Sequence, residues 1–289
     1  MPTSQESVKK AGTLYLVGTP IGNLEDITLR ALRILKEVNM IACEDTRQTQ
    51  KLLNHFAIGT RTTSYHEHNE LTKSAELIMH IEQGESIAVV TDAGMPGISD
   101  PGFRLVALAI RHRIAVVPIP GATAFVSALV ASGLPTDAFV FRGFLPQKSA
   151  QRRKILEGLK DSPRTQVFYE APHRIVETLE DVVDVLGAAR HVVVAREVTK
   201  LHEEFLRKSA GEALDDLKKR DEVRGEITLM IGKPDEQGAP VLERKNARTR
   251  VRELMQTEKI DEREAMKRVA KEMGVSKSEV YRELQKGKP

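Results

Sequence analysis

The sequence has little cysteine and no long apolar run. Its 289 residues include one cysteine, Cys43, so an internal disulfide and a cysteine-based metal cluster are both excluded. Residues 1–11 are polar and lack the apolar core of a signal peptide, and no later run approaches the length of a membrane-spanning helix. We therefore expect a soluble, unprocessed, cytoplasmic protein in which Cys43 is a small buried hydrophobe.

Familiar phosphate-binding and metal-binding patterns are also missing. Gly18 and Gly22 follow the first apolar run, where a dinucleotide-binding fold has its phosphate loop, but their spacing fits neither G-x-G-x-x-G nor the P-loop. An ordinary NAD or ATP site and the usual glycine-rich methyltransferase fold are therefore disfavoured. His66 and His68 flank Glu67 without a third ligand at a recognisable spacing, so we predict no metal site.

The first half of the chain alternates short apolar runs with segments of helical periodicity. This rhythm predicts right-handed crossovers and a mostly parallel sheet. Asp26 is the predicted N-cap of the first helix. The predicted strands are Leu14–Val17, Met40–Cys43, Arg61–Tyr65, Ile87–Thr91 and Ile114–Pro118.

The pattern changes after Gly133, where the last connections between strands become short. Short connections predict a second sheet that is partly antiparallel. The fold class is therefore α/β, with an N-terminal α/β domain at residues 1–122 and a C-terminal α/β domain at residues 123–235. The cleft between two such domains favours ligand binding. The second set of predicted strands is Ala138–Phe141, Gln166–Tyr169, His191–Arg196, Glu203–Arg207 and Glu226–Ile231.

Residues 233–240 have the composition of a linker, and residues 241–289 form a predicted basic helical tail. The tail carries 14 Lys and Arg against 9 Asp and Glu, a net charge of +5, while the whole chain carries +3. One predicted helix ends at Gly274, and Ser276 with Glu279 forms a capping box that opens another, as in a helix-turn-helix. The charge favours a polyanionic partner, although a mixed-charge helical surface gives similar counts.

The segment 89–102 is the most informative stretch of the chain. An apolar run ends at Val90 and turns into a loop with three glycines, two prolines and two aspartates. Glycine allows positive φ and a close approach of ligand to backbone, and proline stiffens the path. Because ligands of open α/β sheets bind beyond the carboxyl ends of the strands, we interpret the loop as a binding site rather than a plain turn.

Three polar clusters also point to a site. Residues 44–47 place two acids and Arg47 at the end of a predicted strand, where the crevice lies. Residues 168–174 close another strand with an aromatic, an acid, an imidazole and a guanidinium. Lys148, Arg152 and Arg153 follow Phe144, and such a group either holds a phosphodiester backbone or is an ordinary exposed helix start.

Taken in order, these stretches resemble ribosomal RNA small subunit methyltransferase I, a family of the tetrapyrrole-methylase superfamily. Each motif is weak alone, but the ordered set is specific and spans Gly12 to Lys233. Met95 departs from the wider superfamily, many members of which have aspartate there. The stretches are residues 16–24, 42–47, 92–96, 100–102, 120–122, 143–146, 168–170, 173–174 and 195–197.

The resemblance implies two α/β domains of tetrapyrrole-methylase type, usually in a homodimer, with S-adenosylmethionine bound in the cleft between them. It implies methyl transfer to the ribose 2′-hydroxyl of a decoding-centre cytidine in 16S rRNA of the small ribosomal subunit, with no membrane involved. The positions that it implies for the methyl donor are Pro20, Asp92, Gly94, Ile98, Asp100, Ala122, Thr123, Tyr169, Ala195 and Ile227.

A sulfonium methyl is already activated, so the enzyme mainly aligns the acceptor and excludes water. A ribose hydroxyl is a poor nucleophile, and a positioned base would help it. The candidate bases are Glu170 and His173, with Glu44 and Asp45 behind them. The candidate RNA contacts are Arg47, Lys148, Arg152 and Arg153.

Two other interpretations stay open. A methylase of a tetrapyrrole or another small molecule would keep the fold but have little use for a basic tail. A ligand-sensing regulator would bind nucleic acid through the tail. Against this interpretation, the loops rich in polar and charged residues all lie in the two α/β domains, and the tail has few side chains suited to reading bases.

Overall fold

The computed structural model describes residues 11–234, 247–273 and 276–285. The chain divides into two compact units, Met1–Gly238 and Ala239–Pro289. Within the described residues, no helix is long and apolar enough to cross a membrane.

The first sheet has five parallel strands in the order β3-β2-β4-β1-β5. Its strands β2 and β4 are buried along their whole length, as expected for parallel strands covered on both faces. The strands are β1 (Thr13–Val17), β2 (Met40–Cys43), β3 (Thr62–Ser64), β4 (Ile87–Val90) and β5 (Ala115–Ile119), and the helices are α1 (Leu29–Glu37), α2 (Thr46–His55), α3 (Glu70–Glu82), α4 (Phe103–Arg111) and α5 (Ala124–Val130).

The second sheet is mixed, with the order β6-β7-β10-β8-β9. Strands β6 and β7 are parallel, while β10 is antiparallel to both of its neighbours and β8 is antiparallel to β9. The strands are β6 (Phe139–Phe144), β7 (Thr165–Glu170), β8 (His191–Arg196), β9 (Glu204–Ser209) and β10 (Ile227–Ile231), and the helices are α6 (Ser149–Glu157), α7 (Ile175–Leu186) and α8 (Ala210–Lys218).

These sheets confirm the predicted fold class, one parallel and one partly antiparallel α/β layer. Cys43 is fully buried in the core of the first sheet, as predicted. The domain boundaries near residues 122 and 235 stay predictions.

The predicted cap of α1 was wrong. Asp26 lies in a short 3₁₀ helix, Leu24–Asp26, and Thr28 is the N-cap. The Thr28 hydroxyl accepts a hydrogen bond from the Ala31 N–H at 3.1 Å. Both residue types cap helices well, so the choice depends on where the chain enters the helix.

The second unit contains α9 (Ala247–Glu258), α10 (Glu262–Met273) and α11 (Lys277–Gln285). Apolar side chains from all three helices share a small core that includes Val251, Leu254, Val269 and Val280. Two of these helices were predicted and α9 was not. Helix α11 begins directly after Ser276, whereas Gly274 lies outside the described residues.

Candidate functional site

The candidate site lies at the carboxyl ends of β1, β4 and β5. The loop after β1 and the loop after β4 are joined by two backbone hydrogen bonds, Thr19 N–H to Gly94 O at 2.9 Å and Gly94 N–H to Thr19 O at 3.1 Å. The loop after β5 packs directly against the loop after β1, since a Cβ atom added to Gly18 would lie only 2.7 Å from the Gly121 Cα. Only glycine permits this approach, so the three loops form one surface.

The loop that carries Asp100 is held in a fixed conformation. Its backbone has positive φ at Gly94, Gly97, Ser99 and Gly102. The loop closes on itself through a hydrogen bond from Gly97 N–H to Pro101 O at 3.1 Å. Positive φ in a non-glycine residue is uncommon, and Ser99 is such a case.

The end of this loop is tied to the first sheet by Glu70, at the start of α3. The Glu70 Oε1 atom accepts hydrogen bonds from the Gly102 N–H at 3.1 Å and from the Tyr65 hydroxyl at 3.0 Å. Burial is the main cause that raises the pKa of this tyrosine hydroxyl. Tyr65 and Glu70 therefore hold the end of this loop at Gly102.

A cavity of about 420 Å³ separates this loop from the second sheet. Its size falls within the usual range of small-molecule sites. Its wall consists of Ile21, Asp92, Ala93, Gly94, Met95, Ile98, Ser99, Asp100, Thr123, Ala124, Phe144, Tyr169, Glu170, Ala171, Pro172, Val198, Glu226, Ile227 and Thr228.

Negative charge dominates one side of the cavity. Burial, together with the charges of Glu44 and Asp92, raises the pKa of Asp100 to about 6. Burial and the charge of Asp92 also raise the pKa of Glu44, while the His66 imidazole offsets part of that effect. A cationic ligand group placed here would relieve this repulsion.

Most positions that the resemblance implies for the methyl donor belong to this wall, namely Asp92, Gly94, Ile98, Asp100, Thr123, Tyr169 and Ile227. Pro20 is buried beside the lining residue Ile21. The Ala122 carbonyl lies 3.6 Å from the position of a Cβ on Gly94, and Ala195 is buried opposite Thr228 in the sheet. Their contacts with a donor stay predictions.

Other lining residues were not assigned to the cavity from the sequence. Phe144 ends β6, Val198 follows β8, and Glu226 and Thr228 belong to the region of β10. Val198 and Glu226 carry no local signal. For Phe144, the available signal was its place in the motif stretch 143–146, directly before the basic residues of α6.

The structure separates the two first candidate bases. The Glu170 side chain is fully buried and accepts hydrogen bonds from the Thr178 hydroxyl at 2.7 Å and the Ala171 N–H at 2.7 Å, and it pairs with Arg174. His173 lies on the wall of a different cavity, beside Val176 and Leu217. Glu170 and His173 thus line different cavities, and a catalytic role for either stays a prediction.

The second pair of candidates, Glu44 and Asp45, interacts with Asp92 of the acidic wall. Asp45 is the N-cap of α2 and accepts a hydrogen bond from the Arg47 N–H at 2.8 Å. Its own N–H donates to the Asp92 Oδ1 at 3.2 Å. Hydrogen bonds from Arg47 lower the pKa of Asp45, which makes it a weak base. Glu44, with a raised pKa, is the better proton acceptor.

Two of the predicted RNA contacts have other partners. Arg152 is 1% exposed, and its Nε donates to the Asp181 Oδ2 at 2.7 Å. Arg153 bonds Asp181 at 3.1 Å and Asp184 at 2.9 Å. These pairs hold α6 against α7, so Arg152 is withdrawn as a phosphate contact and Arg153 is disfavoured. Lys148 is exposed.

Arg47 also reaches solvent, because its side chain is 89% exposed although it pairs with Asp45 at 3.3 Å. A surface pair of this kind is weak, so Arg47 is free to pair with another anion instead.

The two histidines considered as metal ligands lie close together, because the rings of His66 and His68 are 5.9 Å apart. Within the described residues, no group of three His, Cys, Asp or Glu side chains is arranged to hold a metal ion.

The fold and this cleft define the class of the protein. Residues 13–214 match the family of tetrapyrrole (corrin/porphyrin) methylases. Uroporphyrin III C-methyl transferase from Thermus thermophilus has the same fold, with a TM-score of 0.54, 20% identity, and coverage of 76% of this chain and 97% of that one. A structure of that enzyme complexed with S-adenyl homocysteine gives a TM-score of 0.54 and 21% identity, covering 76% and 97%.

Curated relatives narrow the class to one family. Ribosomal RNA small subunit methyltransferase I of Halalkalibacterium halodurans is 50% identical over 93% of both chains. Its counterpart in Synechocystis is 44% identical over 93% of this chain and 96% of the relative, and that of Escherichia coli O157:H7 is 47% identical over 80% and 81%. The chain belongs to the ribosomal RNA small subunit methyltransferase I family.

Proposed function

We propose that the protein transfers a methyl group from S-adenosylmethionine to the ribose 2′-hydroxyl of a decoding-centre cytidine in 16S rRNA. The observation that carries this proposal is the cavity between the two sheets, with an acidic wall on one side and apolar surface on the other. The names of the curated relatives support an RNA of the small ribosomal subunit as the acceptor.

The described residues suit this donor, whose sulfonium and amino groups are cationic. Asp92 and Asp100 line the cavity with negative charge, and Ile98, Tyr169 and Ile227 supply apolar surface for a flat ring. The donor, when bound, supplies an activated methyl group. The protein's part is to hold it, to align the acceptor hydroxyl and to keep water out.

Glu44 is the residue that we propose as the acceptor of the hydroxyl proton. Its pKa is raised by burial and by Asp92, and a base whose pKa lies closer to neutrality is more effective than an ordinary carboxylate. Glu170 takes a positioning role, because its carboxylate fixes Arg174 and Thr178 beneath the cavity wall. His173 has no role in this scheme.

The RNA would be held outside the cavity by exposed cations. Lys148 precedes α6, Arg47 lies on α2, and both are exposed. The helical unit Ala239–Pro289 would add further contacts through its positive charge, since neutralising phosphates releases counterions. Deleting residues after 240 would then weaken RNA binding, whereas the same deletion would hardly change the activity of a methylase of small molecules.

The protein also leaves large apolar side chains exposed, among them Leu29, Phe103, Val130 and Leu201. We propose that some of these are covered in a homodimer that works in the cytoplasm. Light scattering at micromolar concentration measures the molecular mass, and a value of one chain, 32.2 kDa, would contradict this.

The deciding experiment is transfer of labelled methyl from S-adenosylmethionine to small ribosomal subunits that lack the modification, followed by nuclease mapping. We expect label on the ribose of a single decoding-centre cytidine. Label on a base or on another nucleotide would refute the proposed acceptor. No label despite donor binding would favour a small-molecule methylase.

A further inference from the structure

Strand β6 contains an irregularity beside the cavity. Phe141 lies opposite Val167 of β7, but the next pair is Phe144 opposite Tyr169. Between these two pairs, β6 advances by three residues while β7 advances by two, and the extra residue on β6 defines a β-bulge. Gly143 lies within it, with φ of +65°. Bulges of this kind occur next to active sites, where they redirect a side chain.

The bulge decides which face of the sheet Phe144 occupies. Side chains alternate along a strand, so in a regular strand Phe144 would share the face of Phe168 in the core. The extra residue places Phe144 on the other face, with Val167 and Tyr169. That face borders the cavity, and Phe144 forms part of its wall.

Phe144 is the most exposed of the three aromatic side chains of β6. Phe141 stacks on Phe125, with ring centroids 4.3 Å apart. The ring of Phe144 meets Tyr169 at 5.6 Å in a tilted arrangement, and Phe144 remains 57% exposed. A large apolar ring turned away from the core and left open at a cavity mouth is suited to a planar partner.

The opposite wall of the cavity is the loop that carries Asp100. A Cβ on Gly143 would lie 3.4 Å from the Ser99 hydroxyl, so the bulge touches this loop directly. Phe144 is more exposed than Tyr169, which is half-buried. The ring of Phe144 is therefore the more accessible of the two to a partner that arrives from solvent.

We propose that Phe144 is the stacking platform for the nucleobase of the nucleotide that receives the methyl group. This inference rests on the proposed function and names the residue that seats its substrate. A nucleotide within folded RNA must leave its stack to reach a recessed site, and an aromatic side chain replaces the lost stacking. Lys148, the exposed N-cap residue of α6, is the next basic residue along the chain after Phe144 and is our candidate for a contact with the phosphate.

The test compares Phe144→Ala, Phe144→Leu and Phe144→Trp with the control Phe139→Ala. Phe139 is on the same strand and is 41% exposed, but the cavity wall does not include it. For each protein, kcat and KM for unmodified small subunits are measured at saturating S-adenosylmethionine. Calorimetry measures the affinity for S-adenosylhomocysteine, which also reports that the cleft is folded.

We expect Phe144→Ala and Phe144→Leu to lower kcat/KM for the subunits about 10- to 100-fold, mainly through KM, since stacking of one base on an aromatic ring has this magnitude. Phe144→Trp should stay within about threefold of the wild type, because stacking tolerates any aromatic ring. Phe139→Ala should match the wild type, and S-adenosylhomocysteine should bind every variant alike.

Three results would overturn the inference. Unchanged kcat/KM in Phe144→Ala would show that no base stacks there. Full activity of Phe144→Leu would show a mere apolar contact. Loss of S-adenosylhomocysteine affinity in step with activity would assign Phe144 to the donor. Failure of the proposed function looks different, because the wild type itself would then bind the donor product without labelling subunits.

Discussion

The replacement Asp100→Asn removes one carboxylate from the cavity wall while it keeps the shape of the side chain. Burial and the charges of Glu44 and Asp92 raise the pKa of Asp100 from 3.8 to about 6 in the folded protein. The unfolded chain lacks both causes. At pH 8, folding therefore brings a charged carboxylate into a partly buried site beside other negative charges, which costs free energy. The asparagine variant avoids this cost.

The size and sign of the effect follow from proton linkage. A pKa difference between 3.8 and about 6 corresponds to at most ~3 kcal/mol, and because the carboxyl is partly exposed, screening reduces this to about 1–2 kcal/mol. The folded pKa is the higher one, so the contribution to stability is fully present below pH 3.8 and is lost as the pH rises through 6. The variant should thus gain about 1–2 kcal/mol at pH 8 and nothing at low pH.

The assay is urea denaturation of wild type and variant at several pH values between 4 and 8. The difference in the free energy of unfolding between the two proteins is the quantity of interest, because groups that do not interact with Asp100 titrate equally in both. Asp161→Asn, on the exposed surface, is the control and should show no such trend. An Asp100→Asn protein that is less stable than the wild type at pH 8 would refute the reasoning.

The same replacement should weaken the binding of S-adenosylmethionine more than that of S-adenosylhomocysteine. The two ligands differ by the sulfonium charge, so only the first loses an attractive partner when the carboxylate disappears. We expect the donor to lose about fivefold in affinity relative to the product, or roughly 1 kcal/mol. Equal losses for both ligands in calorimetry would show that Asp100 does not sense this charge.

Further predictions concern the framework and the base. Arg152→Met leaves Asp181 buried without its main partner, so urea denaturation should show a loss of about 3–5 kcal/mol, largely restored when Asp181 is replaced by leucine as well. Glu70→Gln weakens the anchor of the Gly102 N–H and should lower S-adenosylhomocysteine affinity in calorimetry by about 1.5–3 kcal/mol, with the fold intact. Glu44→Gln should reduce single-turnover methylation about 10²- to 10⁴-fold without loss of donor binding, and unchanged turnover would exclude it as the base.

Much of the fold could be predicted from the sequence, because buried parallel strands are short apolar runs followed by glycine-rich loops. The run Ile87–Val90 and the loop after it show this directly. The order of the strands could not be read, since it depends on packing between distant segments. The cap of α1 was missed for a related reason, because Asp26 and Thr28 are equally suitable caps and the path of the chain chose between them.

The site could be predicted for residues at the end of a strand, but not for residues placed by a later turn or by a distant partner. Asp92 and Asp100 belong to one loop, which the sheet places at the crevice. His173 lies within the turn before α7 and lines another cavity. Arg152 has the spacing of an exposed cation, but its partner Asp181 lies 29 positions away on α7, and a single sequence does not reveal such pairs.

The distribution of charge lets one cleft serve a cationic donor and a polyanionic acceptor. In the proposed scheme, the acidic wall with Asp92 and Asp100 attracts the donor and repels phosphate, so the RNA would approach from the side of Phe144 and Lys148. Transfer of the methyl group removes the positive charge of the donor. The wall then holds the product less tightly than it held the donor. In this scheme, loss of the sulfonium charge restores the repulsion between the Asp100 carboxylate and its acidic neighbours, and the restored repulsion would favour release of the product.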